Sequence, residues 1–325
     1  MGCSDAVFQA ILARYLLLPQ PALRHLTDTV IPNCAFPCDP FGFALCAANL
    51  EGGGWTAHHD DIKHAFAHIA RDAGLHVSME NTALFLRGLT SAQAQQVGEE
   101  FYARGRGYIP DLQIRLRDAA ANPPRFLDRL FDVKTLHVRQ DPSVPTAYSS
   151  ARTVDARADS VHGQIERNLR LADFHFFDTP YTSAGSMGDG PLTRKLNSFG
   201  QVSGLVFGGI GEASKDVQRL VDRISDHAAH AMAARRGRVD MPSAVAEARA
   251  YNRERIAMAN LKGMAELLLN RAEFLTVPGP TRWEQHDPRN LLVTDWHSAF
   301  NHMHRAATHA ERRRAARGSF FSRAR

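Results

Sequence analysis

Two stretches decide the reading of this chain: Ile109-Pro110-Asp111-Leu112-Gln113-Ile114-Arg115-Leu116 and Arg129-Leu130-Phe131-Asp132-Val133-Lys134-Thr135-Leu136, with Pro123-Pro124 between them. Each is apolar or alternating over a strand's length, and the proline pair supplies a turn, so the pattern predicts two adjacent strands joined as a hairpin. Pro110 is tolerable at a strand entrance, where it forfeits only a first-position donor. Such a hairpin brings Asp111 and Asp132 together. Side chains on a strand repeat every two residues, so Lys134 shares a face with Asp132. Leu130, Phe131, Val133 and Leu136 surround Asp132. A carboxylate in so apolar a strand needs a partner or a metal ion.

Two carboxylates with an ammonium beside them suit phosphodiester hydrolysis. That reaction needs relief of negative charge on the phosphoryl oxygens and an in-line water, both served by a carboxylate-held divalent cation. Mg²⁺ takes few protein ligands and keeps water and phosphate for the rest. Asp111 and Asp132 are the expected Mg²⁺ (or Mn²⁺) ligands, with the Val133 carbonyl as a third, and Lys134 orients or deprotonates the water. The competing reading makes Asp111 a turn residue and Asp132 with Lys134 an exposed strand pair.

Working outward, residues 59–73 have helical spacing, with Ile62, Phe66, Ile69, Ala70 and Ala73 on one face and Gly74 as the stop. Residues 75–79 predict a short strand, and 90–102 a helix. A longer helix over 157–173 turns Ala158, Val161, Ile165, Leu169 and Ala172 inward. Residues 202–207 form the most buried strand of the pattern. It ends in Gly208-Gly209-Ile210-Gly211, read as a tight strand-to-helix turn rather than a nucleotide loop, because the spacing fits neither phosphate-binding pattern. Ser214 is the expected cap of the next helix, whose buried face is Val217, Leu220, Val221 and Ile224. Upstream, 7–18 predicts a helix and 22–29 another helical turn. Downstream, 244–274 is helical, followed by the Pro278-Gly279-Pro280 linker and a further helix to about residue 317. With 90–102 set aside as an insertion, the order is helix, strand, strand, strand, helix, strand, helix, which implies an α/β sandwich.

The segment 109–138 resembles the core of the PD-(D/E)xK, or restriction-like, nucleases, whose fold has the same αβββαβ order. The resemblance implies Asp111, Asp132 and Lys134 as catalytic residues. It adds Glu80 as a further acidic one, with Asp60 in reserve, and a polar group such as Gln164 or Arg167 from the following helix. A second motif, Cys34-x₃-Cys38-x₇-Cys46 followed by His58-His59-Asp60, carries ligand types that suit tetrahedral Zn²⁺. With Pro40-Phe41-Gly42-Phe43 it is similar to the cysteine/histidine knuckle of one branch, the restriction-like endonuclease of non-LTR retrotransposons and related eukaryotic elements. That likeness spans residues 7–224. Phe43 stands where those relatives carry a histidine, and His58 where they carry arginine. Either Cys34, Cys38 and Cys46 hold a structural Zn²⁺ with His59, or with His58 in its place, or the cysteines are free and buried.

The expected organisation is therefore a helical and knuckle-like cap over 1–57, a restriction-like core over 58–240, and a helical extension with a basic tail over 241–325. The expected function is a Mg²⁺-dependent endonuclease acting on DNA, intracellular, and nuclear if derived from a eukaryotic element. The alternative is a catalytically inactive module of the same fold that binds nucleic acid or a protein partner.

Composition agrees without deciding. The chain has 325 residues, 44% hydrophobic and 22% charged, ordinary for a globular protein. A net charge of +5 and the clusters Arg235-Arg236-Gly237-Arg238 and Arg312-Arg313-Arg314 favour a phosphate-rich partner, or are solvated faces and tails. No apolar run approaches the ~20 residues of a membrane span, and the first residues lack a secretory pattern. Met1-Gly2-Cys3 fails as an acylation site because Ala6 replaces the required Ser or Thr. Four cysteines in a chain this long suggest metal binding before a disulfide framework.

Overall fold

The apolar run around Asp132 becomes the longest strand, and the rest of the molecule is arranged on it. The computed structural model describes residues 3–32, 34, 36–48, 50, 54–102, 107–118, 125–136, 151–177, 188–236 and 240–276. In chain order these form α1 (Asp5–Tyr15), α2 (Phe43–Ala47), α3 (Gly54–Asp72), β1 (Val77–Met79), α4 (Ser91–Val97), β2 (Leu112–Asp118) and β3 (Arg125–Thr135). There follow α5 (Ala151–Phe177), α6 (Pro191–Ser198), β4 (Ser203–Phe207), α7 (Lys215–Arg236) and α8 (Met241–Thr276). The four strands make one mixed sheet in the order β1-β2-β3-β4. The first two ladders are antiparallel, and β4 runs parallel to β3.

Alternation along the strands sends side chains to two apolar layers. On one face Leu112, Ile114, Leu116, Phe131, Val133, Leu205 and Phe207 meet the buried stripes of α3 and α7. On the other, Leu130 packs with Val161, Ile165 and Leu169 of α5, and Val206 with Val154 and Ala158. The result is an α/β sandwich in which the inward-facing residues read from helical spacing are those buried. A third cluster joins Val7, Ala10, Leu23 and Leu45 to Met264, Leu267 and Leu268 of α8. Helix α8 also packs along α3 and α7. The boundary expected at 57/58 falls inside α3, and 241–276 is packed against the core on three sides.

Several local expectations are corrected. Helical turns over 22–29 reduce to a 3₁₀ turn at Pro21–Leu23, because the chain reverses at Asp28, whose φ is +65°. The helix expected over 90–102 is present, with a change of winding: a Thr90–Gln93 capping box starts α4, which passes into a π turn at Gly98–Tyr102. Ser214 does not cap α7 with its side chain. Its hydroxyl donates to the Gly204 carbonyl and accepts from Val206 N–H, tying the turn to β4. Helix α6 was not anticipated. Buried Asp173 accepts the N–H groups of Leu192 and Thr193 and so caps it from a distant helix. The Pro123-Pro124 turn, the Pro278-Gly279-Pro280 linker, the final helix and the terminal arginines lie outside the described residues.

Candidate active site

The register of the sheet builds the site. The β2–β3 ladder ends with Leu112 opposite Phe131, and the β1–β2 ladder with Met79 opposite Leu112. One step further along both ladders come Glu80, Asp111 and Asp132, three acidic residues in one row across three strands. Where β2 has run out, the Asp111 carboxylate takes the place of a strand carbonyl and accepts the Val133 N–H at 2.7 Å. The Asp111 carbonyl accepts the Glu80 N–H at 3.3 Å. Glu80 holds a φ of +47°, rare for a residue with a side chain, as the chain leaves β1. Lys134 lies two residues beyond Asp132 and reaches it at 2.8 Å, the same-face pairing that strand periodicity predicts.

Helix α3 supplies the remaining groups. It starts at Gly54, five residues earlier than its apolar spacing indicates, which places His58 and His59 on the helix. His59 Nε2 contacts Asp111 at 3.1 Å and its Nδ1 contacts Asp60 at 3.3 Å. One turn on, buried Lys63 donates to Asp60 at 2.8 Å and to Glu80. The network runs Glu80, Lys63, Asp60, His59, Asp111, and beside it stands the pair Asp132 and Lys134.

Charge is finely divided here. Burial disfavours ionised His59, but its hydrogen bonds to Asp111 and Asp60 outweigh that and push its pKa up to about 9. It is therefore an imidazolium at neutral pH, with both ring nitrogens donating. Burial also works against ionised Asp111, yet the His59 hydrogen bond and charge, with the Val133 amide, hold its carboxyl below the usual range. Asp132 goes the other way: burial raises it, Lys134 opposes, and the Asp111 charge adds to the rise. Lys63 is raised, since its bonds to Asp60 and Glu80 exceed the effect of burial. Each aspartate thus lies in the other's field.

Two hard oxygen donors that repel one another fit a small divalent cation. Among the described residues no three His, Cys, Asp or Glu side chains are gathered as a ready cage. Mg²⁺ asks for fewer, being bound through one or two carboxylates plus water and substrate oxygens. Val133 joins the site through its N–H, bonded to Asp111.

The expected zinc set does not assemble. His59 has both ring nitrogens committed to Asp60 and Asp111, while His58 faces Asn260 at 3.0 Å and is lowered to about 4 by burial. Cys34, Cys38 and Cys46 belong to the apolar cluster under α8. Burial, with Asp39 nearby, pushes the Cys38 thiol up to about 11, and the Cys46 sulfur accepts from Arg14 at 3.7 Å. None of the three is in a disulfide, and all lie in a packed cap.

Lys63 is not singled out by the reading of the sequence. Lys63 had a signal: with His59, Phe66 and Ala70 it lies at helical spacing on the buried side of α3, where a charge requires partners. Gln164 and Arg167 are exposed on α5. No family model, curated protein or solved structure matches the chain. Among the described residues no helix is long and apolar enough to cross a membrane.

Proposed function

We propose that this protein is a metal-dependent nuclease that hydrolyses phosphodiester bonds of DNA. The observation that carries the reading is Asp111 and Asp132 side by side at the strand ends, with the Lys134 ammonium 2.8 Å from Asp132. Asp111 and Asp132 are the residues to hold Mg²⁺ or Mn²⁺, and the bound ion would supply charge relief and an acidified water. The other groups act on their own account. His59 and the Val133 N–H fix the orientation of the Asp111 carboxylate. Lys63 braces Asp60, which holds His59, and anchors Glu80 beside the row. Lys134 is partly exposed, with a side chain 39% accessible, so its ammonium is free to swing from Asp132 to the attacking water or a phosphoryl oxygen. With α4 and α6 set aside, the order α3, β1, β2, β3, α5, β4 is similar to that of the restriction-like nucleases, an analogy of fold that supports the chemistry only alongside the site.

One observation favours a second reading, an inactive module of the same fold that binds nucleic acid or a protein. His59 and Lys134 already balance the two carboxylates without any ion. Incubation of plasmid DNA with Mg²⁺ or Mn²⁺ separates the two. The nuclease reading expects cleavage by the wild type and a loss of about a hundredfold or more in Asp132→Ala and Lys134→Ala. DNA binding without cutting by all three proteins selects the inactive module, and no affinity for DNA even at low salt removes both.

A further inference from the structure

We infer that the cleft between α7 and α8 is a binding site for a small organic acid, with a compact apolar body and a hydrogen-bond acceptor at the end opposite its carboxylate. The cleft opens where β4 ends and the chain turns into α7. Its volume is about 310 Å³, at the lower end of the range for small-molecule sites. Phe207, Val221 and Ile256 are its buried apolar walls, and Arg253 and Ala257 stand exposed at its mouth. Asn260 lines its inner end. That side chain is 1% exposed, and its amide oxygen is committed to His58 Nε2 at 3.0 Å. The amide nitrogen has no partner among the described residues, yet it is not sealed off, so its N–H groups are open to the cleft. A buried donor left open in this way carries a desolvation cost that an incoming acceptor removes.

Arg253 supplies the charge. It lies seven residues before Asn260, two turns or about 10 Å along the same face of α8. Arg249 and Arg253 share the Asp222 carboxylate at 2.8 and 3.2 Å, so two guanidinium groups face one acid and a positive charge is left over. Arg253 uses only Nη2 for that contact, which leaves the rest of its planar fork for a second carboxylate. The chemistry of the ligand follows from these positions. Its carboxylate meets Arg253 within reach of water, its body lies on the apolar walls, and its acceptor takes the Asn260 N–H. A cation would be repelled at the mouth, and a wholly apolar molecule would seal the Asn260 amide away unpaired.

The probe is para-acetylbenzoate, a benzene ring with a carboxylate at one end and a ketone oxygen at the other. It is titrated into the full chain and followed by protein-observed NMR, with no DNA or metal ion, so the readout is independent of the nuclease reading. The expected dissociation constant is on the order of 1 mM or lower, the range for a ligand of about a dozen non-hydrogen atoms. Arg253→Gln should weaken binding about tenfold, and Ala257→Phe, which fills the mouth, should abolish it, both variants melting with the wild type. para-Isopropylbenzoate, in which a methyl group replaces the ketone oxygen, should bind about three- to tenfold more weakly. No binding by the wild type, or equal binding by Ala257→Phe, overturns the site. Arg253→Gln, a surface change, carries the test if Ala257→Phe fails to fold, and undiminished binding by it overturns the assignment of an acid. Equal affinity for the isopropyl compound overturns the role of Asn260.

Discussion

Asp111 and Asp132 are the same side chain in the same row of the sheet, yet their environments drive them apart. Asp111 is held ionised by His59 and a backbone amide, whereas Asp132 is raised by burial and by its neighbour's charge. Environment, not residue type, sets which carboxylate gives up its proton first. His59 is the hinge of this arrangement, and its raised pKa has a readable consequence. The folded protein keeps the His59 proton up to about pH 9, while the unfolded chain releases it near the ordinary value of 6.5. Its contribution is therefore complete below pH 6.5, declines between 6.5 and 9, and vanishes above. At full strength it amounts to about 3 kcal/mol as an upper bound, because part is shared with Asp111. The stability difference between wild type and His59→Gln, taken from urea midpoints between pH 6 and pH 10, should shrink across that window. A difference independent of pH would mean that His59 is not charged in the fold. From sequence, His59 was placed with the cysteines, since a helix start five residues early leaves no mark in the apolar spacing.

At the scale of elements, β2 is legible because its burial follows a period of two, and β3 and β4 because strands covered on both faces read as continuous apolar runs. Lys134 beside Asp132 followed from that period alone. Helix α5 approaches the sheet where β4 has no side chain: a Cβ on Gly204 would sit 2.8 Å from Ala158 Cα and 2.8 Å from a Val161 methyl. Backbone cannot retreat as a flexible side-chain end can. Gly204→Ala should cost about 1–3 kcal/mol by forcing α5 off the sheet. The control is Gly98→Ala, where nothing lies within 4 Å and the backbone is helical, which should be neutral or slightly stabilising. Denaturant unfolding of both variants checks the contrast, and equal effects would count against close packing of α5 on β4. Ser214 shows how an expected cap can be lost to another bond, and Asp173 how a cap can come from outside the local sequence. A cap is a local motif in sequence, but Ser214 spends its hydroxyl on β4, and Asp173 caps a helix 18 residues away in the chain.

For the molecule as a whole, α8 is a brace. Ile256 completes the core between α3 and α7, Asn260 meets His58, and Arg271 donates to the carbonyls of Leu45 and Cys46 at 2.7 and 2.9 Å. A fragment of residues 1–240 should therefore lose cooperative unfolding, whereas the full chain melts in a single transition; a fragment as cooperative as the full chain would show that 241–276 is an appendage. The amino-acid sequence by itself determined the strands, the stripes of the core helices, the α/β order and the pairing of Asp132 with Lys134. All of these arise from periodicities that act over a few residues. Only the tertiary structure decided that His59 and Lys63 belong to the acidic row and that the cysteines lie elsewhere. Those placements depend on the rotation and start of each packed helix and on where each ladder ends, which are settled by burial across the whole chain.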